Sequence, residues 1–150
     1  MSTTVIEQYK VEANGYHPFL IREGWQVAQL NYMPEQHINN IKKLDVHFLT
    51  DEVFILLKGE AVLIGAEIEN NNVTFETELL KPSITYNIPA NAWHNIAMRE
   101  GSEIIIVEKS ETHVSDFEFF QLNDAQIAEL KQMVTACFDN KKKLKANDTN

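Results

Sequence analysis

The sequence predicts an all-β sandwich or barrel with a single C-terminal α-helix, and three observations carry that expectation. From Trp25 to Lys109 the chain is a succession of short apolar or alternating runs, broken by turn residues at the spacing of an all-β domain. After Phe120 the apolar residues instead recur at helical spacing. With 44% hydrophobic and 23% charged residues over 150 positions, the chain fits one domain whose core needs no staple.

The elements follow in order. Before Trp25, Gly15, Pro18 and Gly24 separate short β-like runs that can supply edge strands. WQVAQLNY ends at Met33-Pro34, and IKKLDVHF leads through Leu49-Thr50-Asp51 into EVFILLK, which stops at Gly59. EAVLIGAEI runs to the turn Glu69-Asn70-Asn71-Asn72, and the alternating VTFETELL returns antiparallel to it. Lys81-Pro82-Ser83 precedes SITYNI, the tight turn Pro89-Ala90-Asn91 precedes WHNIAM, and Arg99 to Ser102 precedes EIIIVEKS. In LNDAQIAELKQMVTACF, Asn123 is placed to cap a helix, with Gln126 in the capping-box position. Ile127, Leu130, Val134 and Cys137 or Phe138 then form one apolar face. The expected organisation is a single domain over 1–150, with a β core at about 25–109, a helix at about 124–139 packed outside it, and a polar tail at 140–150. The cluster KKKLK within that tail reads as a solvated terminus.

A formal charge of −9 with no basic stripe argues against nucleic acid and anionic membrane surfaces as partners. No segment has the apolar length of a membrane helix, and MSTTVIEQYK lacks the order of a secretory signal. The one cysteine, Cys137, excludes an internal disulfide and a cysteine-rich zinc site, in keeping with a cytoplasmic protein. Any metal would have to be held by histidine and carboxylate.

LDVHFLTDEVFILLKG, Leu44 to Gly59, places such groups at the mouth of a buried run. Strand alternation puts Asp45 and His47 on one side together with Lys43. If Leu49 to Asp51 reverses the chain, Glu52 returns opposite His47, and His94, after the Pro89 turn, can face the same space. Two histidines and a carboxylate are a minimal set for non-haem iron, and the same donors suit manganese, nickel, zinc or cobalt. An unpaired Glu52 beside VFILL would be costly to bury, and a cation would remove that cost. Asp51 reads as a turn residue, and His17, His37 and His113 as surface or loop residues. Lys43 and Tyr86 are candidates for lining a substrate pocket; parity does not settle whether Tyr86 and Trp25 face the interior or the helix.

His47, Glu52 and Gly59, with Pro89, Asn91 and His94, resemble the two motifs of a small single-domain cupin, in order and with the usual separation. Two positions depart from the pattern: Asp45 stands where cupins commonly carry histidine, and Asn91 where they carry glycine. Asn tolerates the left-handed backbone that such a turn needs, whereas Asp45 changes the charge of the site. The resemblance implies a cupin-type double-stranded β-helix, a jelly-roll barrel that is usually dimeric, with a divalent metal bound by His47, Glu52, His94 and Asp45. Asp45 is either a ligand or an acceptor that orients a ligand histidine. The function expected is a metal-binding cupin, an isomerase, lyase or dioxygenase acting on a small polar metabolite. The alternatives are a non-catalytic ligand-binding cupin and a degenerate scaffold without metal.

Overall fold

The computed structural model describes residues 4–148, with 141–144 described by their backbone alone. Ten strands form two five-stranded antiparallel sheets. One sheet has the order β1 (Gly15–Arg22), β2 (Trp25–Asn31), β9 (Glu103–Glu108), β4 (Glu52–Lys58), β7 (Thr85–Ile88). The other has the order β10 (Glu118–Gln121), β3 (Lys43–Val46), β8 (Trp93–Met98), β5 (Ala61–Glu69), β6 (Asn72–Leu79). This is the jelly-roll the sequence implied. The short α1 (Thr112–Ser115) precedes β10, and α2 (Asp124–Asn147) closes the chain.

Local chemistry explains the turns. Asn70 and Asn71 both adopt left-handed φ, 50° and 66°, as a tight β5–β6 hairpin requires and as Asn tolerates. Asn91, at φ 69°, meets the same demand in the turn before β8, with its N–H donating to the His47 carbonyl at 2.7 Å.

Alternation then builds two cores. Ala28 and Leu30, Phe54 and Leu56, Ile96 and Met98, and Ile104 and Ile106 point between the sheets and are buried there. Each such side chain contributes roughly 1.5–3 kcal/mol when fully buried. The opposite face of the second sheet packs Val62, Ile64, Phe75 and Ala97 against Leu130, Val134 and Phe138 of α2. The cap forms as expected: the Gln126 N–H donates to Asn123 Oδ1 at 2.8 Å, and the Asn123 N–H to Gln126 Oε1 at 2.9 Å. Cys137 is half-buried on this side, 3.4 Å from Thr77 Oγ1.

Two expectations are corrected. The backbone of α2 continues to Asn147 rather than ending near 139; the side chains of Lys141, Lys142, Lys143 and Leu144, on which the reading of KKKLK turned, lie outside the described residues. The segment 43–58 is also not a hairpin: β3 pairs with β8 and β10, and β4 with β7 and β9. The chain crosses from one sheet to the other over the end of the barrel, and β7 to β8 does the same. Both crossings carry polar residues across the space between the sheets.

Candidate metal centre

On β3, Leu44 and Val46 are buried, Leu44 in the core that faces α2, which leaves Asp45 and then His47 on the intersheet side. The His47 ring donates from Nδ1 to the Asp116 carbonyl at 2.6 Å, so its Nε2 points into the cavity. Asp116 is held in turn, its carboxylate accepting the N–H groups of Phe48 and Leu49 at 3.0 and 2.9 Å. His94 lies opposite Asp45 in the β3–β8 register and donates from Nδ1 to the Ala92 carbonyl at 3.0 Å. In its neutral form each ring therefore presents a bare Nε2 inward, the tautomer a metal requires.

Glu52 arrives from the other sheet. Its Oε2 lies 3.0 Å from His47 Nε2 and 2.7 Å from His94 Nε2. Asp45 Oδ2 is 3.9 Å from His47 Nε2, and Glu108 Oε2, at the end of β9, is 4.0 Å from it. Sequence reasoning placed Asp45, His47, Glu52 and His94 in one site and missed Glu108 and Asp116. Ile104, Ile106 and Glu108 share one parity on β9, and that was the signal available for Glu108.

In the ion-free protein these groups hold one another's protons. Burial works against the His47 imidazolium, but the Glu52 carboxylate overcomes it and raises His47 to about 9. Burial also pushes Glu52 up, yet the two histidines pull it down to about 2. His94 is raised by Glu52 against the effect of its own burial. Asp45 is raised chiefly by burial, and Glu108 by burial and then by the charge of Glu52.

Among the described residues, two buried oxygens, Asp45 Oδ1 and Glu108 Oε2, have no hydrogen-bond partner, and Glu52 Oε2 meets only the two histidine Nε2 atoms. Leaving such atoms unsatisfied is costly, most of all when they are charged. Donors about 2.1 Å from one ion stand about 3.0 Å apart at right angles and about 4.2 Å apart across it. The observed separations fall within or close to that range. Asp45, His47 and His94, and likewise His47, Glu52 and Glu108, are grouped closely enough to hold a metal ion. The residues present fit a divalent cation.

The site opens into a cavity of about 250 Å³ floored by Leu30, Phe54, Ile96 and Ile106, with Phe117 and Phe119 at its mouth. Lys43 does not line it; its Nζ lies 3.7 Å from the centre of the Phe119 ring. Tyr86 is elsewhere too, packed in the core beside a second cavity between β5, β6 and β7, its hydroxyl accepting from the Lys81 N–H. Trp25 sits half-exposed where β1 turns into β2. Trp93 packs on the α2 side against Phe120, while Asn95 borders the cavity and donates to the Lys43 carbonyl. Asp51 does not close its own turn; its carboxylate accepts from the Ala90 N–H and the Asn87 amide, and these bonds lower its pKa. His113, read as a surface residue, is exposed but also borders the cavity, 3.1 Å from the Gln26 amide.

No family model and no curated protein matches the sequence. Solved structures do. Protein BH2720 of Bacillus halodurans superposes with a TM-score of 0.52 at 15% identity, over 77% of this chain and 83% of its own. A cupin-2 domain protein of Shewanella frigidimarina gives 0.41 at 17% identity, over 66% and 84%. An oxalate oxidase gives 0.44 at 15% identity over 58% of this chain, which spans 42% of the oxidase chain. At 15% identity the likeness to BH2720 is one of fold alone. Among the described residues no helix is long and apolar enough to cross a membrane.

Proposed function

We propose that this chain, a small cupin by its fold, holds a divalent metal at His47, Glu52 and His94, with Asp45 at its edge, and acts there on a small polar metabolite. One observation carries the reading: the carboxylates of Glu52, Asp45 and Glu108 converge on two histidines whose Nδ1 atoms are tied to backbone carbonyls. A degenerate scaffold has no use for that arrangement.

A metal bound here supplies Lewis-acid polarisation of substrate oxygens, and iron or manganese adds redox chemistry. The protein's own residues do the rest. The Asp116 and Ala92 carbonyls fix the ring directions of His47 and His94. The apolar floor excludes water, and Phe117 and Phe119 give an entering molecule a flat apolar wall. A carboxylate-rich set favours harder divalent ions and, with them, isomerase or lyase chemistry over dioxygenation. The lone half-buried Cys137 supports a cytoplasmic setting.

We also read the chain as a homodimer. The outward face of the first sheet carries the rows Val27, Val107, Val53 and Ile105, Ile55, all only half-buried, where the other sheet has α2. An arm made of residues 7–13 covers the β1–β2 side of this face, bound through Glu7 to Arg22 and through the Val11 and Ala13 carbonyls to Gln29 and Asn31. Before it, Val5 and Ile6 are left exposed, which extends the apolar surface open to a second copy.

The deciding experiment is elemental analysis of protein purified without added metal, beside the His47→Ala, His94→Ala double variant. We expect about one divalent ion per chain, lost in the variant. An unmutated protein that neither carries nor takes up metal overturns the reading, and turnover by the metal-free double variant overturns the role of the metal.

A further inference from the structure

Glu108 is among the most deeply buried acids of the chain, with its side chain 3% exposed, and sequence reasoning gave it no role. Its two oxygens have different surroundings. Oε1 accepts from the Tyr16 hydroxyl at 2.6 Å and from the Gln26 amide at 3.0 Å, which fixes the carboxylate plane. Oε2 has no hydrogen-bond partner and stands 4.0 Å from His47 Nε2.

The clamp is itself well anchored. Gln26, fully buried, faces Glu108 in the β2–β9 register, and its Oε1 accepts the Glu111 N–H at 2.8 Å. Tyr16 comes from β1 and packs its ring against His113 at a centroid distance of 5.7 Å. Residues of three strands thus hold one carboxylate oxygen toward His47. A bond network of that kind around an acid with one free oxygen is the outer support found behind metal ligands. It would be an expensive way to place a structural acid, because Glu52 already supplies negative charge beside it.

We propose that Glu108 is a further metal ligand, held in place by Tyr16 and Gln26, and that with Glu52 it makes the site oxygen-rich and selective for a hard divalent ion of the manganese type. This rests on the metal-binding reading above. Asp45 is the weaker candidate for the same place: its side chain is 31% exposed, and no side-chain clamp holds it. The second carboxylate matters for selectivity. Zinc is satisfied by four donors including two imidazoles, whereas manganese favours a fuller, oxygen-rich shell.

The test compares wild type, Glu108→Gln and Tyr16→Phe, each stripped of metal, shown folded by circular dichroism, and titrated with manganese(II), zinc(II) and cobalt(II). Glu108→Gln keeps the size and an oxygen that can accept both clamp bonds but loses the anionic donor. We expect its manganese affinity to fall by about tenfold to a hundredfold, with a smaller loss for zinc and a changed visible spectrum of bound cobalt. Tyr16→Phe should shift manganese affinity in the same direction by less, and it carries the test if Glu108→Gln does not fold. If wild type binds but neither variant changes manganese affinity or the cobalt spectrum, Glu108 is not a ligand and the three-residue site stands. If wild type binds none of the three ions, the metal reading fails and this inference with it.

Discussion

A metal entering this site must displace protons, and the pairing of His47 with Glu52 says where in pH. In the ion-free protein His47 holds its proton up to about pH 9 because Glu52 sits 3.0 Å from it. At pH 7 about one molecule in a hundred then has neutral His47, so affinity should be about a hundredfold below its high-pH limit. Raising the pH from 6 to 8 should tighten manganese binding at least about tenfold per unit, and more if His94, also raised, is protonated as well.

Stability of the ion-free protein should move the other way. His47 has a folded value above its unfolded 6.5, so its contribution is complete below pH 6.5 and lost as pH rises through 9. Glu52 is depressed, so its contribution is present above 4.5 and lost as pH falls toward 2. Between pH 6.5 and 9, therefore, the Tm of stripped protein should fall while the increment given by manganese grows. Chelator-competition titrations, with calorimetry in buffers of different ionisation enthalpy, measure both affinity and proton release. Affinity that is flat between pH 6 and 8, or binding without proton release, would refute the assignment of Glu52 and His47 to one ion.

Asp116→Ala should cost about 1–3 kcal/mol by leaving the Phe48 and Leu49 N–H groups without their acceptor. It should also weaken metal binding about tenfold by loosening the crossing that presents His47; urea unfolding and the same titration check both, and unchanged values in each would remove Asp116 from the site's support. Val107→Lys, at the centre of the outward apolar row of the first sheet, should convert a dimer measured by light scattering into a monomer with metal binding intact. A wild-type monomer, or a dimer that survives the substitution, rules out that face as the interface.

How much of this was legible in the sequence can be argued from particular residues. Asp45, His47, Glu52 and His94 could be placed together by strand parity and motif spacing, although Glu52 arrives by a crossing between the sheets and not by the reversal the sequence suggested. Lys43 was given the parity of Asp45 and His47, but its ammonium stacks on the Phe119 ring instead of entering the cavity. Asp116 acts on His47 through its backbone carbonyl, to which side-chain identity offers no guide. The contact between Glu108 and Gln26 joins residues 82 positions apart, through a β2–β9 pairing that no local pattern specifies.

A regularity nonetheless links the residues of the site. Glu52 begins the inward series Phe54, Leu56; His94 begins Ile96, Met98; Gln26 begins Ala28, Leu30; and Glu108 ends Ile104, Ile106. Because β9 runs antiparallel to both β2 and β4, a polar residue at its end lies beside polar residues at their starts. The inward faces are therefore apolar for most of the barrel's depth and polar at one end only. That end is also where the 47–51 crossing and the 111–117 segment meet. A polar residue in phase with an apolar inward series, placed at the strand end that topology brings to the mouth, is the mark by which Glu108 belongs with the histidines rather than with the surface.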